Sequence, residues 1–143
     1  MKSKHHCCRL QTYLMNARSV YNKLNDFRLF FDSSNPDIVA ISETWLTPDV
    51  PNSMFVPTES YLCFRKDRHS GKGGGVFLMI KKSLCICAHQ VFLSAQYDSV
   101  ELICVDINDQ TDCLPLRIVV AYRPPNYSSS VECIVIFGIT QSC

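Results

Sequence analysis

The sequence of 143 residues lacks any apolar run long enough to span a bilayer, so no membrane-spanning segment is predicted. The start, MKSKHHCC, contains no apolar signal core, and we therefore expect an intracellular protein with reduced thiols. The chain also lacks internal repeats and long low-complexity tracts. Because 47% of the residues are hydrophobic, these features predict one modest domain with a buried core.

A net charge of only +1 conceals an uneven distribution of charge along the chain. Residues 1–31 carry six basic groups and one acid, and residues 32–64 carry five acids and no Lys or Arg. Residues 65–82 again carry six basic groups and one acid, and residues 83–143 carry six acids and two Arg. The two basic blocks indicate either contact with a polyanion or two solvated faces.

The nine cysteines form no C-x-x-C pair. Cys85 and Cys87 alternate along a predicted strand, which puts both side chains on one face. The run from His5 to Cys8 (HHCC) contains residue types that bind zinc, but it lies in a polar terminal segment. A small cysteine-rich metal or redox protein is therefore one rival interpretation of the chain.

The first third of the sequence predicts a strand, a helix and a second strand. Residues 10–15 (LQTYLM) predict the first strand, and Ser19 is a suitable N-cap for an apolar stripe that reaches Phe31. Pro36 disfavours helical geometry at the residue before it and so ends the helix. The run DIVAIS, residues 37–42, predicts a strand that is buried on both faces. This order is typical of a βαβ-like opening.

From Tyr61 onward the pattern predicts consecutive antiparallel strands. The predicted strands are residues 61–65, 74–80, 84–91, 99–107 and 116–122. Residues 131–139 fit a short strand or a helix equally well, because their periodicity does not decide between the two.

Three polar residues share one position in this pattern, because each follows or ends a predicted strand. They are Asn16, Glu43 and Tyr122. Glu43 has two interpretations, a solvated strand end or a metal ligand at the carboxyl edge of a sheet. An amide, a carboxylate and a phenol that meet at one edge would suit phosphodiester chemistry, since carboxylate oxygen is a hard ligand for Mg²⁺. Alternatively, Asn16 caps a turn and Tyr122 is an amphipathic strand-end aromatic.

Four segments in order carry a resemblance to a known family: NARSVYNKL, PDIVAISETWL, FRKDRHSGKGGGVFLMIK and VVAYRPPN. Together they resemble the start of the endonuclease domain of non-LTR (LINE-type) retrotransposons, within the endonuclease/exonuclease/phosphatase family. The resemblance covers residues 10–126. It implies an α/β (α+β) fold of the DNase I-like type, a four-layer sandwich, and Mg²⁺-dependent hydrolysis of a DNA phosphodiester.

The resemblance also implies roles for individual residues. Glu43 matches the metal-binding Glu, Asn16 matches the Asn beside the metal and the phosphate, and Tyr122 matches the Tyr that contacts the phosphate. DNA as partner and a nuclear location follow by the same resemblance. Gly71, Gly73, Gly74 and Gly75 form a glycine block that indicates a tight hairpin leading into a strand. Basic residues around this block and at the end of the last long strand are then candidates for contact with DNA phosphates, or else belong to a solvated hairpin. They are Arg65, Lys66, Arg68, Lys72 and Arg123.

The chain departs from the family pattern after YRPPN. It contains no GDFN-like motif, and none of its four His lies in an S-D-H context. In the family the Asp and Asn of the GDFN-like motif do central chemistry, and the Asp and His of the later motif are the general-base pair, so we expect weak or no cleavage. A non-catalytic remnant that binds nucleic acid or protein is the alternative function.

The departure from the family pattern after residue 126 also determines the domain organisation that we expect. We expect a polar tail at residues 1–9, a partial domain at 10–126 and a divergent tail at 127–143. The partial domain would be a truncated sandwich, mainly one antiparallel or mixed sheet with one N-terminal helix. Its uncovered apolar sheet face would favour self-association and low solubility.

Overall fold

The computed structural model describes residues 9–69, 72–84, 87–97, 100–108, 116–123 and 133–139. Within these ranges the chain forms one α-helix, α1 (Leu24–Ser34), and eight strands. The strands are β1 (Thr12–Asn16), β2 (Ile38–Ser42), β3 (Tyr61–Lys66), β4 (Val76–Lys81), β5 (Cys87–Gln90), β6 (Glu101–Asn108), β7 (Leu116–Tyr122) and β8 (Cys133–Ile139). Single 3₁₀ turns lie at Tyr21–Lys23, Asn52–Met54, Lys82–Leu84 and Ala95–Tyr97. No helix in this described part of the chain is long and apolar enough to cross a membrane.

The predicted strand–helix–strand opening is confirmed. β1 and β2 pair in parallel, with Asn16 opposite Ser42, and α1 lies in the connection between them. The helix ends at Asn35, which adopts the left-handed conformation with φ 43° and donates its N–H to the Phe31 carbonyl at 3.1 Å. Pro36 follows directly and prevents the helix from continuing.

The start of the helix differs from the prediction. Ser19 was expected to be the N-cap, but α1 begins at Leu24, after the 3₁₀ turn Tyr21–Lys23. Ser19 Oγ accepts a long hydrogen bond, 3.4 Å, from the N–H of Asn22. Ser19 therefore supports the approach to the helix rather than its first turn, because the backbone from residue 17 to residue 20 is still paired with the segment after β2.

One face of α1 packs on the first sheet through aromatic side chains. Phe27 and Phe31 are four residues apart, so they lie on the same side of the helix, and both are buried. Phe27 meets Phe55 at a centroid distance of 6.4 Å, and Phe31 meets Tyr61 at 5.1 Å, both edge-on. Burial of each such side chain contributes roughly 1.5–3 kcal/mol.

The eight strands form two four-stranded sheets, with the orders β1-β2-β4-β3 and β5-β6-β7-β8. Only β1 and β2 are parallel, and every other pair is antiparallel. The prediction of antiparallel strands after Tyr61 is confirmed. The described residues thus form three layers, with α1 on the outside of the first sheet and the second sheet on its other side.

The two sheets pack face to face over a continuous apolar core. In β2, Ile38 and Ala40 point to the second sheet, whereas Val39 and Ile41 point to the helix side, and all four are at most 1% exposed. The DIVAIS run is apolar at every position because both of its faces are covered. The second sheet supplies its half of this core from β6 and β7, through Ile103, Val105, Ile107, Ile118, Val120 and Tyr122.

The mixed α+β class is confirmed, but the expectation of mainly one sheet is corrected. The inner face of the first sheet was expected to be uncovered, whereas β6 and β7 cover it over β2 and β4. The physical reason given for self-association and low solubility therefore does not hold at that face. Leu14 on the edge strand β1 faces the same way as Ala40 and is 52% exposed.

The strand β8 lies inside the segment 127–143 that was expected to be a divergent tail. It pairs with β7, with Tyr122 opposite Cys133, and so extends the second sheet beyond residue 126. Of the two structures that residues 131–139 allowed, the described part, Cys133–Ile139, is a strand. The expected N-terminal tail, apart from residue 9, lies outside the described residues.

A cross-strand ion pair on the second sheet predicts a dependence of stability on pH. Arg117 donates two hydrogen bonds of 2.7 Å to Asp106, directly opposite on β6, and the Asp106 residue is 8% exposed. The hydrogen bond from Arg117 holds the pKa of Asp106 below its ordinary value. Because the folded pKa is the lower one, this stabilisation is complete above the ordinary Asp pKa and disappears as the pH falls through the lowered value.

We therefore expect Asp106→Asn to lower the free energy of unfolding at about pH 7 and to lower it much less at about pH 3. Urea denaturation at both pH values measures the two differences. Asp32→Asn, an exposed acid in α1, is the matched control and should show no such loss at neutral pH. Equal losses at both pH values would contradict the assignment.

Candidate active site at the rim of the sandwich

Strand ends from both sheets meet at one end of the sandwich. Asn16 and Ser42 end β1 and β2, and Gly75 directly precedes β4. The N–H of Gly75 donates at 2.7 Å to Oε2 of Glu101, which begins β6 in the other sheet. Tyr122, the last residue of β7, is paired with Glu101. We call this end the rim and define it as residues 16–19, 42–45, 73–75, 101 and 122.

Asn16 and Glu43 come together because the pairing of β1 with β2 continues beyond both strands. The N–H of Ala17 donates to the Ser42 carbonyl, and the N–H of Ser19 donates to the Glu43 carbonyl, each at 2.9 Å. Asn16 is exposed, and its Oδ1 accepts a hydrogen bond of 3.3 Å from the N–H of Arg18. The amide is thus held at the mouth of the rim, beside the segment that carries Glu43.

The carboxylate of Glu43 is oriented by neighbouring donors and is not merely solvated. Its Oε2 accepts hydrogen bonds from the indole N–H of Trp45 and from the N–H of Gly74, the latter at 3.3 Å. Within the described part of the chain, Oε1 accepts no hydrogen bond. A half-buried carboxylate with one oxygen engaged and one open has the geometry that a cation ligand needs.

Unusual backbone conformations are concentrated at the rim. Among the described residues other than glycine, five have positive φ, and four of these lie at the rim. They are Arg18, Ser19, Glu43 and Trp45, with φ of 43°, 84°, 55° and 54°. An L-residue in this region costs on the order of 1–2 kcal/mol. Such strain persists only where surrounding contacts impose it, and clusters of it are typical of functional sites.

The glycine block closes the rim over Glu43. Gly73, Gly74 and Gly75 all have positive φ, between 76° and 88°. A Cβ on Gly74 would overlap the side chains of Arg68 and Glu101, and one on Gly75 would overlap the hydroxyl of Thr44. The sequence interpretation of a tight turn into a strand fits these three residues, while Gly71 lies outside the described residues.

Glu101 is a rim residue that the sequence interpretation missed. It is 9% exposed, accepts from the Gly75 N–H, and forms an ion pair with Arg68, Nε to Oε1 at 2.5 Å. Its alternation with Ile103 and Val105 was the available signal, because period-2 spacing places all three on the inner face. Arg18, which is exposed and follows Asn16 by two residues, was missed as well. The sequence analysis predicted only the start of a helix in this segment.

Tyr122 lies at the rim but is more deeply buried than an open phosphate contact requires. The residue is 3% exposed, and its ring belongs to the core between the sheets. Only the hydroxyl end of such a side chain can meet a ligand at the rim. The structure therefore places Asn16 and Glu43 on adjacent, paired segments and Tyr122 at the same end, on the opposite sheet.

The basic residues predicted to contact phosphate mostly bind the chain itself. Arg65 donates to the carbonyls of Val50 and Thr47, to Asn52 Oδ1 and to Asp67, at 2.7–2.8 Å. These bonds fasten the Pro-rich connection, residues 47–57, to β3, and contact of Arg65 with DNA stays a prediction.

Of the other basic residues predicted to contact DNA, two bind the chain itself and two are exposed. Lys66 donates to the Val100 carbonyl at 2.9 Å, and Arg68 is paired with Glu101, so both connect the two sheets. Contact of Lys66 or Arg68 with DNA stays a prediction, and the terminal nitrogens of Arg68 lie at the rim beside the Lys72 carbonyl. Lys72 and Arg123 are exposed, and their contact with phosphate stays a prediction.

The donor atoms at the rim fit a hard divalent cation. Glu43 Oε1 and the Asn16 amide oxygen are oxygen ligands, and Ser42 Oγ is buried with no hydrogen-bond partner among the described residues. Mg²⁺ retains several waters and needs only one or two carboxylates from the protein. No group of three His, Cys, Asp or Glu in the described ranges forms a fuller cluster. Oxygen donors with one carboxylate therefore favour Mg²⁺ over a softer metal.

Two of the described cysteines, Cys63 and Cys104, do not suggest redox chemistry. Cys63, Cys87 and Cys104 are free thiols. Burial raises the pKa of Cys63 to about 11 and also raises the pKa of Cys104, which disfavours the reactive thiolate at both. The rival zinc run from His5 to Cys8 and the residue Cys85 lie outside the described residues.

No family model matches this chain, and no curated protein is significantly similar to it. Solved structures are similar to it. The 3′ phosphatase NExo from Neisseria, bound to product DNA hairpin, has a TM-score of 0.54 and 16% identity, over 70% of this chain and 38% of that one. D. rerio TDP2, complexed with single-strand DNA product, has a TM-score of 0.51 and 17% identity, over 82% and 48%.

The fold is DNase I-like. This chain is also similar to the structure of a humanized D. rerio TDP2, with a TM-score of 0.50 and 18% identity over 79% of this chain and 46% of that one. The predicted fold class is thereby confirmed. This chain spans less than half the length of each of these structures.

Proposed function

We propose that this chain is part of a Mg²⁺-dependent DNA endonuclease domain of retrotransposon origin, which acts in the nucleus. Its rim holds a divalent cation and a DNA phosphate, and Asn16, Glu43 and Tyr122 carry these contacts. On this proposal the chain binds DNA, and it cleaves DNA weakly or not at all.

One observation carries the proposal most strongly. Glu43 directly follows a buried strand in a strained backbone conformation, two donors orient its carboxylate, and backbone pairing holds its segment next to the segment of Asn16. A merely solvated strand end needs neither the strain nor the donors. The DNase I-like fold and the DNA products bound to the 3′ phosphatase NExo and to TDP2 support phosphate esters of DNA as the substrate class.

Each residue then has a defined task. Glu43 holds the cation through Oε1, and the cation supplies charge that offsets the charge of the phosphate. The Asn16 amide orients a phosphate oxygen or the cation. The Tyr122 hydroxyl donates a hydrogen bond to the phosphate from the second sheet, and Arg18 and Lys72 add affinity that depends on salt.

Water activation is the step that these residues do not supply. Glu101 is tied to Arg68 and Gly75, and no His among the described residues lies at the rim. Without a general base, proton abstraction from water loses a contribution of typically 10²–10⁴-fold. This is the reason to expect slow nicking at most from these 143 residues.

We expect Mg²⁺ to strengthen binding to duplex DNA several-fold in the unaltered chain and to have no such effect in Glu43→Ala. Fluorescence anisotropy with labelled DNA, in Mg²⁺ and in EDTA, measures this difference. Glu59→Ala, an exposed acid away from the rim, is the control and should behave as the unaltered chain. Nicking of supercoiled plasmid is the second measurement, and any genuine nicking must disappear in Glu43→Ala. An equal Mg²⁺ effect in Glu43→Ala would contradict the proposal.

A second candidate is a non-catalytic module that binds nucleic acid. This candidate is favoured because Glu43 is the one rim carboxylate with an open oxygen among the described residues. Glu101 is fully paired and supplies neither a second metal ligand nor a base. In that case DNA binding is the same in Mg²⁺ and in EDTA, and plasmid remains intact in both.

A further inference from the structure

Trp45 occupies a place at the rim that core packing does not explain. It is the only tryptophan in the sequence and is 40% exposed, whereas its neighbours Thr44 and Leu46 are 0% and 3% exposed. It belongs to neither of the two core clusters. Its φ of 54° also costs free energy for an L-residue. A strained backbone that holds a large exposed aromatic side chain requires a local reason.

The contacts of the indole supply that reason. Its N–H donates to Oε2 of Glu43, two residues earlier, and its backbone N–H donates to the Gly74 carbonyl at 2.9 Å. A Cβ on Gly73 would lie 3.3 Å from the indole nitrogen and 3.4 Å from Glu43 Oε2. The glycine backbone therefore passes directly against the indole–carboxylate pair and limits the movement of both.

The geometry points to Trp45 as a positioning residue for Glu43. We propose that its indole N–H occupies Oε2, fixes the carboxylate rotamer and leaves Oε1 for the divalent cation. The inference rests on the proposed function, because it concerns the same carboxylate. Partners that orient a metal ligand in this way typically contribute 10–100-fold to metal affinity.

The single tryptophan makes the contact directly observable. A ¹H–¹⁵N correlation spectrum contains one indole cross-peak, and we expect it at a hydrogen-bonded position in the unaltered chain. The cross-peak should shift in Glu43→Ala and should also shift when Mg²⁺ is added. An unchanged cross-peak in Glu43→Ala would show that the indole does not bind the carboxylate.

The decisive experiment changes the N–H and keeps the ring. Incorporation of benzothienylalanine at position 45 replaces the N–H with sulfur, and incorporation of 5-fluorotryptophan retains the N–H as the matched control. Titration calorimetry with Mg²⁺ alone measures affinity, and thermal unfolding without Mg²⁺ measures fold stability. We expect benzothienylalanine to weaken Mg²⁺ binding about tenfold or more with little change in the unfolding midpoint, and 5-fluorotryptophan to leave the affinity unchanged. Trp45→Phe should weaken binding in the same way.

The outcomes separate this inference from the proposed function. Equal Mg²⁺ affinity in the two substituted chains, with binding abolished by Glu43→Gln, would overturn the role of Trp45 and leave the Glu43 site intact. Absence of Mg²⁺ binding in the unaltered chain would overturn both. Loss of affinity in parallel with loss of fold stability would show a structural role and overturn the positioning role.

Discussion

Gly75→Ala is expected to lower the free energy of unfolding by about 2–4 kcal/mol. Gly75 has φ +88°, which an L-residue rarely adopts, and an added Cβ would overlap the hydroxyl of Thr44. Thr44 is fully buried and cannot turn away, and its Oγ1 is 3.5 Å from the N–H of Leu46. The strain and the overlap add to each other, because each affects the same short segment of backbone.

Chemical denaturation of Gly75→Ala and of the unaltered chain measures this loss. Gly138→Ala is the matched control, because a Cβ there meets no described residue within 4 Å and its φ is not in the left-handed region. Since Gly138 lies in β8, alanine should leave stability unchanged or raise it slightly. Equal effects at the two glycines would contradict the description of the glycine block.

Glu101→Ala is expected to lower the free energy of unfolding by about 2–4 kcal/mol, because it leaves the Gly75 N–H without a partner and the Arg68 guanidinium without its counter-charge. The Gly75 N–H is buried and donates to this carboxylate at 2.7 Å, and Arg68 is its ion-pair partner. Both bonds cross from the first sheet to the second at the rim. Their loss removes a connection between the sheets and leaves a guanidinium partly buried without its counter-charge.

The measurement is again unfolding in urea, with Glu59→Ala as the control. Glu59 is exposed, and its replacement should change stability by less than about 0.5 kcal/mol. The loss of stability in Glu101→Gln should lie between the losses in Glu101→Ala and Glu59→Ala. Its amide oxygen still accepts a hydrogen bond from the Gly75 N–H, whereas the ion pair with Arg68 is lost. A loss in Glu101→Ala no larger than in Glu59→Ala would show that Glu101 does not connect the sheets.

These two variants concern the same physical feature as the proposed activity. The rim is held by bonds between the glycine block, Thr44 and Glu101, and these bonds also set the position of Gly74 against Glu43. A loss of stability at Gly75 should therefore also weaken Mg²⁺ binding at Glu43. Stability and cation affinity are linked there because one loop serves both.

Much of the local structure followed from the sequence, because side-chain periodicity reports burial directly. The apolar run at residues 38–41 specified a strand covered on both faces, and Pro36 specified the end of the helix before it. The strands after Tyr61 were predicted close to their observed bounds. The helix start was misplaced, because the backbone at Ser19 is held by pairing with Glu43, a contact 24 residues away that periodicity does not report.

The second sheet shows where the sequence argument failed. Its strands were predicted individually, but their assembly into a sheet that covers the first depended on which strand pairs with which. Strand pairing is a long-range property, and a run such as residues 133–139 fits a strand or a helix until β7 lies beside it. We expected an uncovered face on the first sheet because two family motifs are missing from the chain. The apolar residues of β6 and β7, which the chain does contain, cover that face.

The sequence by itself determined the order of helix and strands, the faces that are buried, and the presence of an amide, a carboxylate and a phenol at strand ends. Only the tertiary structure decided which polar groups are engaged, namely Arg65 with the Pro-rich connection, Arg68 with Glu101, and the indole of Trp45 with Glu43. The reason is physical. Burial periodicity is a property of neighbours along the chain, whereas a hydrogen-bond partner is set by which strand ends meet in space.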